Sequence, residues 1–172
     1  VQGDEPMISP DTIDLAVTAL LDDERADIAT TCEPISRLWG ELLNGNVVKV
    51  VSGDNGYALY FSRSPMPWPR EASQRWGGDP NRAIREEPEL FSIFRKHTGL
   101  YVYRREYLLE FTKLPPSKLE KIEMLEQLRA LENGYTIWTA MVEKAWDGID
   151  TAGQYEAFVK RMRAGKKAHP EL

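Results

Sequence analysis

Val1-Gln2-Gly3-Asp4-Glu5-Pro6-Met7-Ile8 opens the chain, and the rest is read outward from it. An apolar residue leads through a polar and a small one into two carboxylates and a proline. That order reads as the carboxyl end of a buried strand breaking into a turn, the place where open α/β sheets collect ligands. A carboxylate there is well placed to hold a divalent cation. No strand residues precede Val1, so the chain is expected to enter its fold part-way through.

Working outward, Ser9-Pro10-Asp11 combines an N-cap, a first-turn proline and a first-turn acid. Ile13, Ala16, Val17, Leu20 and Leu21 then recur at helical spacing. Residues 26–32 read as a short strand and 35–43 as a short helix. Val47-Val48-Lys49-Val50-Val51 and Tyr57-Ala58-Leu59-Tyr60-Phe61 flank Ser52-Gly53-Asp54-Asn55-Gly56, the signature of a β-hairpin. Residues 62–96 carry five prolines and six arginines. They are expected to form a long irregular loop with at most a short helix near Pro88. A strand at 98–103 and a short helix at 105–112 follow. Pro115-Pro116-Ser117 then caps the longest helix, 118–133, with Leu119, Ile122, Leu125, Leu128 and Leu131 as its apolar stripe. A strand at 135–142, with Ile137, Thr139 and Met141 on one face, precedes a final helix ending near residue 163. Strands alternating with helices, plus one hairpin, predict an α/β sandwich with a mixed, mostly parallel sheet. Residues 1–165 make one domain, and 166–172 a tail.

Composition narrows the function classes. The chain has 172 residues, of which 42% are hydrophobic and 28% charged, with 22 basic against 27 acidic side chains. A net charge of −5 argues against a nucleic-acid surface, which carries a basic stripe. No apolar run approaches the roughly 20 residues of a membrane span. One cysteine, Cys32, cannot form an internal disulfide, so a reducing, cytoplasmic setting is the simplest expectation. With no histidine beside it in sequence, Cys32 reads as a small residue of a buried strand rather than a nucleophile.

Two acidic turns carry the candidate chemistry: Asp4 in the opening stretch, and Asp150 in Asp147-Gly148-Ile149-Asp150-Thr151. Each follows a predicted strand and precedes a helix. If both lie on one sheet edge, Asp4 and Asp150 can share Mg²⁺ through oxygen ligands. The alternative is that they are ordinary turn residues. Arg63, Arg70 and His97 flank the long loop, and Tyr101 follows on the next strand. Arginine matches carboxylates two-pronged, so the group suits an acidic sugar, unless the arginines are merely solvated. Glu126 and Gln127 on the long helix are candidates for hydroxyl groups. Gly-rich phosphate loops and Cys/His zinc spacings are absent from the sequence.

Taken together, these motifs resemble 3-deoxy-manno-octulosonate cytidylyltransferase, also called CMP-KDO synthetase. The resemblance rests on Val1–Ile8, on Val48-Lys49-Val50-Val51, and on Gly56-Tyr57-Ala58-Leu59-Tyr60-Phe61-Ser62-Arg63 with Pro67-Trp68. His97-Thr98-Gly99-Leu100-Tyr101-Val102-Tyr103-Arg104, the run from Leu119 to Arg129, and Gly148-Ile149-Asp150-Thr151 extend it in the same order. The resemblance implies a Rossmann-like three-layer fold of the nucleotide-diphospho-sugar transferase type. It implies a Mg²⁺-dependent reaction of CTP with 3-deoxy-manno-octulosonate (KDO), giving CMP-KDO and pyrophosphate for lipopolysaccharide assembly. It makes Asp4 and Asp150 the metal-binding and catalytic acids, and Gln2, Arg63, His97, Tyr101, Glu126 and Gln127 the sugar-site residues. A homodimer through residues 103–131 is also implied. Compared with the family, the amino-terminal CTP-binding portion is missing from this sequence. Two other readings stay open: a cytidylyltransferase for another acidic sugar (8-amino-KDO or a sialic acid), and a non-catalytic sugar-binding or dimerisation fragment.

Overall fold

The structure, a computed structural model, describes residues 6–35, 39–143, 149 and 151–168. Five strands form one sheet: β1 (Ile28–Pro34), β2 (Lys49–Ser52), β3 (Ala58–Ser62), β4 (Arg95–Tyr103) and β5 (Ile137–Met141), in spatial order β3-β2-β4-β1-β5. Only the β1–β5 pair among them is parallel; β3–β2, β2–β4 and β4–β1 are antiparallel. The described sheet is therefore mostly antiparallel, against the sequence expectation. Alternation of strands and helices fixes the order of elements along the chain. It does not fix where β4 inserts, and β4 runs between β1 and β2, opposite to both.

Helix α1 (Pro10–Asp22) covers one sheet face through Leu20, which packs with Ala26 and Ala29 and against Val102 and Trp138. Its start is the one read from sequence: Ser9 Oγ accepts the Asp11 N–H at 3.2 Å, with Pro10 in the first turn. Its carboxyl end is closed by Arg104, which donates to the carbonyls of Leu20 at 2.7 Å and Asp23 at 3.0 Å. A cation among terminal carbonyls is favoured by the helix dipole as well as by the hydrogen bonds. The other face packs the main core of Ile28, Cys32, Val50, Phe61, Tyr107, Leu128 and Ile137. Helices α5 (Arg105–Phe111), α6 (Lys118–Glu123) and α7 (Gln127–Glu132) follow β4, and residues of all three pack in or against that core. An isolated antiparallel bridge between Tyr57 and Trp138 ties the hairpin tip to β5, so the sheet curls back on itself.

Two further expectations are corrected. The single long helix is broken into α6 and α7 at Met124, whose φ of 55° and ψ of 49° are left-handed. In a continuous helix the carbonyls of Glu123 and Met124 would accept from residues 127 and 128. Here they accept from the Arg63 guanidinium instead, at 2.7 and 3.4 Å. The break also turns Ile122 outward, where it is 78% exposed rather than part of the core stripe. Residues 62–96 are not an irregular loop either. They hold α3 (Arg70–Arg75), α4 (Pro80–Glu86) and a 3-10 turn (Pro88–Ile93). The α4 start is Asp79-Pro80: the Asp79 carboxylate accepts the Asn81 N–H at 2.8 Å, and the proline sits where its missing N–H costs nothing. These elements close a second small core of Ile35, Leu42, Ile84, Phe91 and Phe94. Helix α2 (Trp39–Leu43) contributes Leu42 to that core, and α8 (Ala152–Ala168) ends the described chain.

Candidate functional site

The candidate site residues that the structure describes gather around the main-core face of β4 and the α6–α7 break. β4 supplies an aromatic row. Phe61 meets His97 edge-on at 5.3 Å, His97 lies 5.1 Å from Tyr101, and Tyr101 stacks on Tyr103 at 5.9 Å. The row is possible because β4 bulges against β1. Thr30 pairs with Tyr101 and Cys32 with His97, so the single residue Thr31 faces three. The bulge is stitched on both sides. Thr30 Oγ1 donates to the Leu100 carbonyl at 2.6 Å, and the Thr31 and Thr98 hydroxyls bond each other while Thr98 Oγ1 reaches the Thr31 carbonyl at 3.0 Å.

Burial sets the protonation of this row. It pulls the His97 imidazole down to about 3, so the ring is neutral. It pushes the Tyr101 hydroxyl well up, with smaller contributions from Tyr103 and from the Glu126 charge; the Tyr103 hydroxyl is raised by burial and then by Glu126. Glu126 therefore lies on the tyrosine side of the break, and its side chain is 80% exposed. Gln127, the first residue of α7, is buried.

Arg63 makes structural contacts that its sequence position did not suggest. Its backbone N–H and the Ser62 hydroxyl both donate to the Glu123 carboxylate, at 3.0 and 2.6 Å. Its guanidinium donates to the carbonyls of Glu123, Met124 and Gly45. Arg63 thus fixes the break that presents Glu126 and Gln127. Arg70 is exposed at the start of α3. Of the other arginines in this segment, Arg75 pairs with Glu71 and Glu87, and Arg95 donates to the carbonyls of Ser92 and Phe94. Gln2, Asp4 and Asp150 lie outside the described residues.

Two contributors escaped the sequence reading. Thr30 touches His97, with Oγ1 2.9 Å from Nε2, across 67 positions of chain. Lys49 is completely buried, its ammonium donating to the carbonyls of Asn44, Val47 and Arg63 at 3.0, 2.6 and 2.6 Å. The available signal was a lone charge inside Val47-Val48-Lys49-Val50-Val51, because a buried charge must find partners.

The chemistry of this arrangement suits hydrogen bonding to hydroxyl groups. It offers aromatic faces, neutral phenol donors, a neutral imidazole and an accessible carboxylate. Burial pushes the Cys32 thiol up to about 11, which removes it as a nucleophile. Among the described residues no cluster of three or more His, Cys, Asp or Glu side chains could hold a metal.

Comparison with known proteins identifies the family. Residues 1–139 match the family model described as "Cytidylyltransferase". A 3-deoxy-manno-octulosonate cytidylyltransferase of Syntrophotalea carbinolica is 46% identical over 151 residues, covering 88% of this chain and 57% of that protein. One of Geotalea uraniireducens is 44% identical over 163 residues, covering 95% and 62%. A solved CMP:2-keto-3-deoxy-manno-octonic acid synthetase complexed with CTP superposes with a TM-score of 0.79 at 36% identity, covering 96% of this chain and 61% of its own. The chain thus spans about three fifths of the length of these relatives.

Proposed function

The chain belongs to the cytidylyltransferase family, and on that premise we propose that the protein carrying it converts CTP and KDO to CMP-KDO and pyrophosphate. The anomeric hydroxyl of KDO attacks the α-phosphorus of CTP. A new P–O bond forms to the sugar, the bond to the bridging oxygen of the β-phosphate breaks, and pyrophosphate leaves. The observation that carries the sugar half is that His97 and Tyr101 lie together on one sheet face with the Glu126 charge acting on Tyr101, in a chain similar to proteins named for KDO.

The residues take distinct parts in this reading. Tyr101, kept protonated, donates to a sugar oxygen, and the Glu126 carboxylate accepts from a sugar hydroxyl. His97 lines the ring-binding face as a neutral group. Arg63 acts one step back, holding the α6–α7 break in place. Mg²⁺ is assigned to Asp4 and Asp150, whose carboxylate oxygens are the hard donors that this ion takes. A bound Mg²⁺ would supply charge neutralisation at the triphosphate. The same reading includes lipopolysaccharide assembly as the use of the product, a cytoplasmic setting and a homodimer. Exposed apolar side chains in the expected dimer segment, Leu108, Leu109, Ile122 and Met124, support the last. No described helix is long and apolar enough to cross a membrane.

The test separates the two substrates. Tyr101→Phe and Glu126→Gln each remove one hydrogen bond to the sugar, and each is expected to raise KM for KDO about tenfold while leaving KM for CTP unchanged. If these variants raise KM for CTP and not for KDO, the sugar site is wrongly placed.

A further inference from the structure

The hydrogen bonds around His97 fix which of its nitrogens carries the proton. Thr30 is completely buried, and its hydroxyl has one proton to give. Leu100 O lies 2.6 Å from Thr30 Oγ1 and His97 Nε2 lies 2.9 Å from it. Two oxygens 2.6 Å apart repel unless a proton lies between them, so the Thr30 proton belongs to the Leu100 carbonyl. Toward His97 the hydroxyl can then only accept, and Nε2 must be the protonated nitrogen. The ring's other neighbours, Phe61, Tyr101 and the cross-strand partner Cys32, carry no charge that would favour the imidazolium. That leaves Nδ1 bare.

The geometry points to Thr30 as a positioning residue that locks His97 in its Nε2–H tautomer, so that Nδ1 accepts a hydrogen bond from a ligand hydroxyl. The ligand half of this statement rests on the KDO reading above; the lock does not. It changes the recognition chemistry expected from the sequence. A bare Nδ1 cannot bond a carboxylate, which offers only lone pairs, but it can bond a sugar hydroxyl. His97 therefore reads the hydroxyl pattern of the sugar, and the sugar carboxylate must be held by donors elsewhere, of which the Tyr101 hydroxyl is one.

The experiment is long-range proton–nitrogen correlation NMR on the protein labelled with ¹⁵N-histidine, the His97 signals being assigned by their loss in His97→Gln. The expected pattern is a protonated Nε2 and a bare Nδ1. Thr30→Ser keeps the hydroxyl and is expected to preserve it. Thr30→Val, matched in shape and branching, is expected to lose it, with the Nδ1–H form appearing. A proton on Nδ1 in the unmodified protein overturns the proposal without reference to any variant, and so does a Thr30→Val spectrum identical to the parent's. Saturation with KDO is expected to shift Nδ1 toward the hydrogen-bonded range. If Nδ1 stays put while the tautomer and its dependence on Thr30 hold, the lock stands and the KDO reading fails.

Discussion

Replacing Lys49 by methionine is expected to remove a contribution to stability that rises with pH, opposite in sense to the usual alkaline loss. Lys49 lies with no exposed surface between the Asn44 turn and the end of β3, its three ammonium hydrogens all on backbone carbonyls. Burial, reinforced by the nearby Arg63 charge, pulls its pKa from the ordinary 10.5 down to about 8. In the unfolded chain Lys49 keeps its proton until pH nears 10.5, whereas the folded protein releases it near 8. Between those values the unfolded state binds more protons, so the stability contributed by this group rises with pH. The slope approaches about 1.4 kcal/mol per pH unit, or about 3.4 kcal/mol over the full window. Cys32 works in the opposite sense: burial moves its thiol from 9.0 to about 11, and its contribution falls as pH rises through that range. The buried tyrosines, raised in the same way, also oppose Lys49 from about pH 10. Net stability should therefore climb between about pH 8 and 9 and then level or turn down. Urea unfolding of parent and Lys49→Met protein, from about pH 7.5 to 10.5, isolates the lysine, because the thiol and phenol contributions are common to both. The parent should gain on the variant by about 3 kcal/mol across the series. Parallel curves for the two proteins, or a parent that is flat or falling from pH 8 to 9, would refute the reasoning.

Two smaller perturbations test the packing around the site. Gly56 has a φ of +83°, and a Cβ built there would lie 2.8 Å from the Trp138 indole. Gly56→Ala is thus expected to cost about 1–3 kcal/mol in urea unfolding, with Gly45→Ala, whose Cβ meets nothing within 4 Å, as the near-neutral control. The Tyr107 hydroxyl is buried without a hydrogen-bond partner. Tyr107→Phe should leave stability unchanged or raise it by up to about 1 kcal/mol, and a loss larger than that would mean the hydroxyl is satisfied after all.

Where local chemistry determines local structure, the sequence was readable. Ser9-Pro10-Asp11 caps α1, the Gly/Asp/Asn turn makes the β2–β3 hairpin, and the strand residues His97 and Tyr101 share one face. The misreadings arise where a distant residue overrides a local pattern. Nothing in 118–133 breaks the apolar stripe, which carries no glycine or proline; the break at Met124 comes from Arg63, some sixty positions earlier. In 62–96 the prolines suggest a loop, although Asp79-Pro80 is a helix start. Strand direction is not legible in the sequence, because the placement of β4 between β1 and β2 is a tertiary fact. At the candidate site, His97 and Tyr101 stand out by residue type, whereas Thr30 looks like any buried strand threonine until its partner is seen across the sheet.

Pyrophosphate release by the protein that carries this chain tests the central claim most directly. The account predicts release that requires CTP, KDO and Mg²⁺ together, falls at least about tenfold when KDO is replaced by a sialic acid, and is abolished by Asp4→Ala or Asp150→Ala. Release that proceeds without the sugar, or turnover with a sialic acid and none with KDO, would contradict it.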